Sequence, residues 1–160
     1  MTTNDSQDQS AQSVEDKPKY RILFLNQPST GHVNTLMTIA LQMKSEGHSV
    51  QFLIPGDISK PAKWLENFRM VQIVGQIPQI LTDHHLAMNI IPVPLSVRLA
   101  CLPLTATRGY NEIRYAMNLF NMGIESYACH VINYLSHHEF DVLVTDFAFI
   151  AGHIAAEVTG

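Results

Sequence analysis

Residues 20–47 read YRILFLNQPSTGHVNTLMTIALQMKSEG. Arg21 to Leu25, RILFL, is a short and nearly continuous apolar run after a polar beginning. A half-exposed strand alternates apolar and polar residues, whereas an unbroken run suits a central strand of a parallel sheet, buried on both faces. Asn26 to Thr30 follows, with loop chemistry from Pro28, Ser29 and Thr30. Val33, Leu36, Met37, Ala40, Leu41 and Met43 then recur at helical spacing, and Gly47 suits the left-handed position just past a helix end. Ser49 to Ile54, SVQFLI, predicts a second strand, closed by Pro55-Gly56. Strand, helix and strand within about 35 residues is the size of a right-handed crossover unit.

Outward from this unit the pattern continues. Ser59 can cap a short helix from near Pro61 to Phe68, and Met70 to Val74, MVQIV, reads as a third strand. Gly75 to Thr107 carries four prolines and mixed apolar residues, and is expected to be irregular with short helices. From Gly109 to Leu135, the residues Ile113, Met117, Phe120, Ile124, Ala128, Val131 and Leu135 step by three or four, which predicts one long helix loosened at Gly123. Phe140 to Thr145, FDVLVT, is a fourth buried strand ended by Asp146, and Ile150 to Val158 is a further helix with Ile150, Ile154 and Val158 on one stripe. Alternating strands and helices predict an α/β fold, an open parallel sheet with helices on both faces, Rossmann-like. Residues 1–17 are expected to form a disordered polar tail and 18–160 one domain, incomplete at its C-terminus because its last helix should lead into another strand.

Composition narrows the function. The chain has 160 residues, 46% hydrophobic and 15% charged, enough for one sizeable core. Its net charge is -4 and its 10 Lys and Arg are scattered, so no basic face invites nucleic acid. Cys101 and Cys129 lack metal spacing and read as buried, reduced thiols, in keeping with a cytoplasmic setting. The first residues lack the apolar core of a secretory signal. Leu86 to Leu104 is apolar, but Arg98, Pro92, Pro94 and Pro103 argue against a membrane span; contact with an apolar ligand or a peripheral membrane surface stays open.

Ligands of open α/β sheets bind beyond the carboxyl ends of the strands. His32 follows the first strand and Asp146 the fourth, so both belong to that edge. If the two strands are close, the carboxylate can take the imidazole proton from one ring nitrogen and leave the other as a base of fixed orientation. Such a base can deprotonate an attacking hydroxyl. The alternative for His32 is a helix-start residue that satisfies backbone groups, and for Asp146 a turn residue or helix cap. The loop NQPSTGH has neither the G-x-G-x-x-G of a dinucleotide site nor the lysine of a phosphate loop, and there is no G-x-S-x-G elbow. The pairs His84-His85 and His137-His138 lack metal-ligand spacing and read as solvated.

Two motifs carry a resemblance. Gly31-His32-Val33-Asn34, with Gly47-His48-Ser49-Val50 after the helix, is similar to the opening of the nucleotide-sugar-dependent glycosyltransferases of the two-domain GT-B fold. The bacterial macrolide- and carotenoid-type UDP-glycosyltransferases are the nearest flavour. Thr35 departs from the usual proline. Asp141-Val142-Leu143-Val144-Thr145-Asp146, with Ala151-Gly152 and Ala155-Ala156-Glu157, resembles a later stretch of the same family. The resemblance implies the N-terminal, acceptor-side domain of an inverting glycosyltransferase, a hexosyltransferase using a UDP-sugar as co-substrate, with no metal. His32 would be the general base and Asp146 its partner. Gly31, Asn34, Met88, Met117 and Phe120 are the candidate acceptor contacts, and the apolar middle of the chain fits a terpenoid, polyketide or sterol alcohol as well as it fits ordinary core. A C-terminal donor domain or a separate donor subunit would hold the nucleotide, and the 160-residue chain alone is expected to be inactive. The alternative is a non-catalytic subunit of a two-component glycosyltransferase that binds acceptor or recruits its partner to a membrane.

Overall fold

The computed structural model describes residues 18–27, 29–55, 69–93 and 121–160. Its elements are β1 (Arg21–Leu25), α1 (Thr30–Ser45), β2 (Ser49–Pro55), α2 (Arg69–Asp83), β3 (Ala87–Ile91), α3 (Ile124–His137), β4 (Val142–Thr145) and α4 (Ile150–Thr159). The strands form one all-parallel sheet in the order β3-β2-β1-β4. The fold is therefore the α/β, Rossmann-like sheet that the alternating pattern predicts.

β1 is a central strand, and its apolar run serves two cores. Ile22 and Phe24 face one side of the sheet, where Val50, Phe52 and Ile54 of β2 meet Val33 and Ala40 of α1 and Ile77 and Leu81 of α2. Leu23 and Leu25 face the other, with Leu53, the α3 residues Tyr127, Ala128 and Val131, and the α4 residues Ala151 and Ala155. Phe24 and Phe52 are register partners, and their rings stack at 5.0 Å. Full burial of a Leu, Ile or Phe side chain stabilises by roughly 1.5–3 kcal/mol, so this short strand is disproportionately important.

α1 stops in the way its glycine predicts. Gly47 has φ +91°, its N–H donates to Lys44 O, and His48 N–H donates to Met43 O. This is the paired closure that a glycine in the left-handed region allows. His48 is structural as well: its Nδ1 accepts the Tyr20 N–H at 3.1 Å and seats the start of β1. At the amino end of the sheet, Arg21 binds Asp141 (Nη2 to Oδ1, 3.0 Å) and Glu139 (Nη1 to Oε2, 2.9 Å), tying β1 to the entry of β4.

Three expectations are corrected. Met70–Val74 is not a strand but lies inside α2. The apolar run MVQIV fits either period, and it continues at helical spacing through Ile77 to Leu81, both of which pack against the sheet. Gly75 and Pro78 suggest irregular chain, yet α2 runs through both, and the third strand is β3, inside the stretch read as irregular. The helix is loosened at Gly123 as expected: a one-residue turn stands there between helical residues 121–122 and α3, which begins at Ile124, with residues 109–120 outside the described residues. A Cβ at Gly123 would collide with the Tyr127 ring, which is why the close approach requires glycine. Finally, Cys129 is exposed, not buried.

The stripe Ile150, Ile154 and Val158 exists on α4, but it is the exposed side. The buried side is Ala151, Gly152 and Ala155, small residues that let α4 approach the sheet and α3 closely. Side chains at Gly152 would press on Thr145, Phe149 and Leu25. Residues 1–17, the helix expected at 61–68, Cys101, Met117 and Phe120 lie outside the described residues. No helix among the described residues is long and apolar enough to cross a membrane.

Candidate active site

The strand order places the site. From β1 the chain winds outward to β2 and β3, then returns to the opposite side of β1 to lay down β4. β1 and β4 thus flank the point where the winding direction reverses, and loops leaving there diverge to opposite faces and open a crevice. Leu25 pairs with Thr145 at the end of the ladder, and the Asp146 N–H donates to Leu25 O at 2.8 Å.

His32 stands in the first turn of α1, facing Asp146. Its Nδ1 is 2.5 Å from Asp146 Oδ2, across 114 residues of sequence. The side chain of Asp146 is 4% exposed and that of His32 is 29% exposed, so the carboxylate is enclosed while the imidazole reaches solvent. An ionised carboxylate can only accept, so in the neutral imidazole this bond puts the proton on Nδ1 and leaves the lone pair on Nε2. Asp146 Oδ1 accepts the Ala148 N–H at 3.0 Å, which holds the carboxylate against rotation.

Further neighbours complete the site, and none of them had been singled out for it by sequence reasoning. His153 Nε2 donates to the Asp146 carbonyl at 3.2 Å, and Phe149 N–H donates to the same oxygen at 2.9 Å. The Phe147 ring lies beside His32, with centroids 5.6 Å apart and planes at 31°. His153 follows Asp146 by seven residues, so the only sequence signal was its place at the start of the helix after the aspartate. Asn26, immediately after β1, is fully buried; its Nδ2 donates to Gln27 O, and its Oδ1 accepts nothing from the described residues.

The expected acceptor contacts scatter. Gly31 precedes His32, and a Cβ there would meet nothing within 4 Å among the described residues. Asn34 is exposed on α1, two residues past His32, which turns it about 200° around the helix axis. Met88 lies on β3, at the far side of the sheet from β4, and packs against the α1–α2 core. The structure does not bring Asn34 or Met88 to the His32–Asp146 pair. A surface hollow of about 440 Å³, lined by Pro18, Tyr20, Glu46 and His48, lies at the amino end of β1, away from the pair. No cluster of three or more His, Cys, Asp or Glu among the described residues could hold a metal ion.

No family model and no curated protein matches the chain. Among solved structures, it is similar to a crystal structure of the glycosyltransferase VinC in complex with dTDP. The identity is 18% and the TM-score 0.47, with 88% of this chain matched to 32% of that one. The chain therefore spans about a third of the VinC chain's length.

Proposed function

We propose that this chain supplies the acceptor side of an inverting glycosyl transfer, from a nucleotide sugar of the UDP-sugar type to a hydroxyl of a small lipophilic acceptor. The observation that carries the reading is the 2.5 Å bond from His32 Nδ1 to the enclosed Asp146 carboxylate, at the reversal point of the sheet. With Nδ1–H committed to Asp146, Nε2 takes the proton of the acceptor hydroxyl. The oxygen forms its bond to the anomeric carbon from the face opposite the leaving group, and the bond from that carbon to the diphosphate oxygen breaks. The nucleoside diphosphate leaves with the electron pair, and the anomeric configuration inverts. Asp146 stabilises the imidazolium that forms and keeps the ring in place.

On this reading the nucleotide is held by a separate donor-binding domain or subunit. The test combines the chain with the donor-binding half of a two-domain glycosyltransferase and follows sugar transfer from UDP-glucose and dTDP-glucose to a panel of hydrophobic alcohols. His32→Ala should lower the rate by about 100-fold or more, the usual range for loss of a general base. A rate within a few fold of the parent defeats the assignment.

A second reading, a non-catalytic subunit that recruits a separate catalytic chain, draws support from the exposed apolar stripe of Ile150, Ile154 and Val158 on α4. It predicts that stimulation of a partner's activity survives His32→Ala and is lost when this stripe is made polar.

A further inference from the structure

Two phenylalanines stand two residues apart after β4 and have opposite fates. Phe149 is 3% exposed and packs near Tyr127, whereas Phe147 is 84% exposed. Single exposed apolar residues are common and need no explanation. Phe147 differs from the others on this surface in two respects. Its ring lies 5.6 Å from the ring of the proposed base, at 31°. It also rides on a turn that is tied down on each side: Asp146 N–H to Leu25 O, Ala148 N–H to Asp146 Oδ1, and both Phe149 N–H and His153 Nε2 to Asp146 O. These bonds fix the backbone on both sides of Phe147, which places the residue beside the imidazole.

We infer that Phe147 is the platform on which the acceptor lies, and that the acceptor is an alcohol or phenol carried on a flat, apolar ring system. The inference rests on the reading of His32 as the base. A flat ring can stack offset on Phe147 with centroids about 4.5–7 Å apart, the arrangement that aromatic quadrupoles favour. Its hydroxyl then lies over the neighbouring His32 and can reach Nε2. Stacking would also cover the exposed ring and remove water from around the proton transfer. Once His32 is protonated, the Phe147 face is within the roughly 6 Å over which a ring attracts a cation.

Binding can be read without turnover, by NMR titration of the full chain with 2-naphthol. Saturable shifts are expected at the His32 ring and at Phe147. Phe147→Ala should weaken binding by about tenfold, while Phe147→Tyr, which keeps the ring, should stay within about threefold. Val158→Ala, at the far end of the α4 stripe, should leave affinity within about twofold, and 1-octanol should bind several-fold more weakly than 2-naphthol. Phe147 is exposed, so its variants test contact and not folding. The inference is overturned if naphthol produces no saturable shift at His32, if Phe147→Ala binds like the parent, if Val158→Ala loses as much as Phe147→Ala, or if 1-octanol matches naphthol. Failure of the platform is separable from failure of the base: a Phe147→Ala that binds like the parent, beside a His32→Ala that still slows transfer, removes only the platform.

Discussion

The backbone N–H of Asp146 donates to the carbonyl of Leu25 at 2.8 Å, carrying the β1–β4 ladder one residue past the end of β4. The Cα of the aspartate is thereby fixed to the end of the strand that leads into α1 and His32. Two further contacts, to Ala148 N–H and His32 Nδ1, fix the carboxylate. Position and orientation are thus set by separate bonds, and substitutions should separate their effects.

Asp146→Asn keeps the backbone bond and the size of the side chain but removes the charge that balances an imidazolium. Transfer in the reconstituted assay should fall by about 100-fold or more, with thermal stability little changed. Asp146→Ala also leaves the Ala148 N–H without its acceptor, and should cost about 1–3 kcal/mol in a urea titration. Equal stability losses for the two variants would contradict this division.

Gly31 is in the first turn of α1, and no described residue lies within 4 Å of where its Cβ would stand. Gly31→Ala should leave the melting temperature unchanged or raise stability by up to about 1 kcal/mol, since alanine is the better helix former. If substrate occupies that space, the same methyl group raises KM several-fold. A drop in melting temperature would show that the space is not open.

Gly47 adopts φ +91° at the end of α1, where a side chain other than that of glycine is strained. Gly47→Ala should destabilise the fold by about 1–2 kcal/mol, measured by denaturant titration, without touching the site. Comparable loss of transfer and stability is expected only through unfolding.

At the opposite edge of the sheet, the Arg21 guanidinium donates to Asp141 and holds its carboxyl below the usual 3.8. A carboxyl whose folded pKa is depressed contributes stability that is fully present above its unfolded value and is lost as pH falls through the folded value. Asp141→Asn should therefore melt slightly lower than the parent at pH 7, and the gap should close in acid below about pH 4 and narrow at high salt. A gap that persists in acid would assign the effect to packing.

Much of the fold was legible because a few segments obey one period. RILFL suits a doubly buried strand and forms one, and Gly47 suits the end of α1 and stands there. Where local signals competed, tertiary context decided. MVQIV fits a strand by composition, but it is the beginning of an α2 that runs through Gly75 and Pro78 and buries Ile77 and Leu81. On α4 the sequence shows one stripe of large residues without saying which way it faces, and close packing against Thr145 and Phe149 puts the small residues on the buried side. The His32–Asp146 pair was legible as two residues at strand ends, but the adjacency of β1 and β4 that joins them is a property of the sheet. Phe147 and His153 carried no motif; only the turn geometry brings them to the pair.

The central claim is that Asp146 holds the proton on Nδ1 of His32 and leaves Nε2 to act as the base. The most direct measurement is the tautomeric state of neutral His32, read from its ring nitrogen signals by two-dimensional 1H–15N NMR of the full chain. The account predicts a protonated Nδ1 and an unprotonated Nε2, with this preference lost in Asp146→Ala. A neutral His32 protonated at Nε2, or a tautomer unchanged in Asp146→Ala, would contradict it.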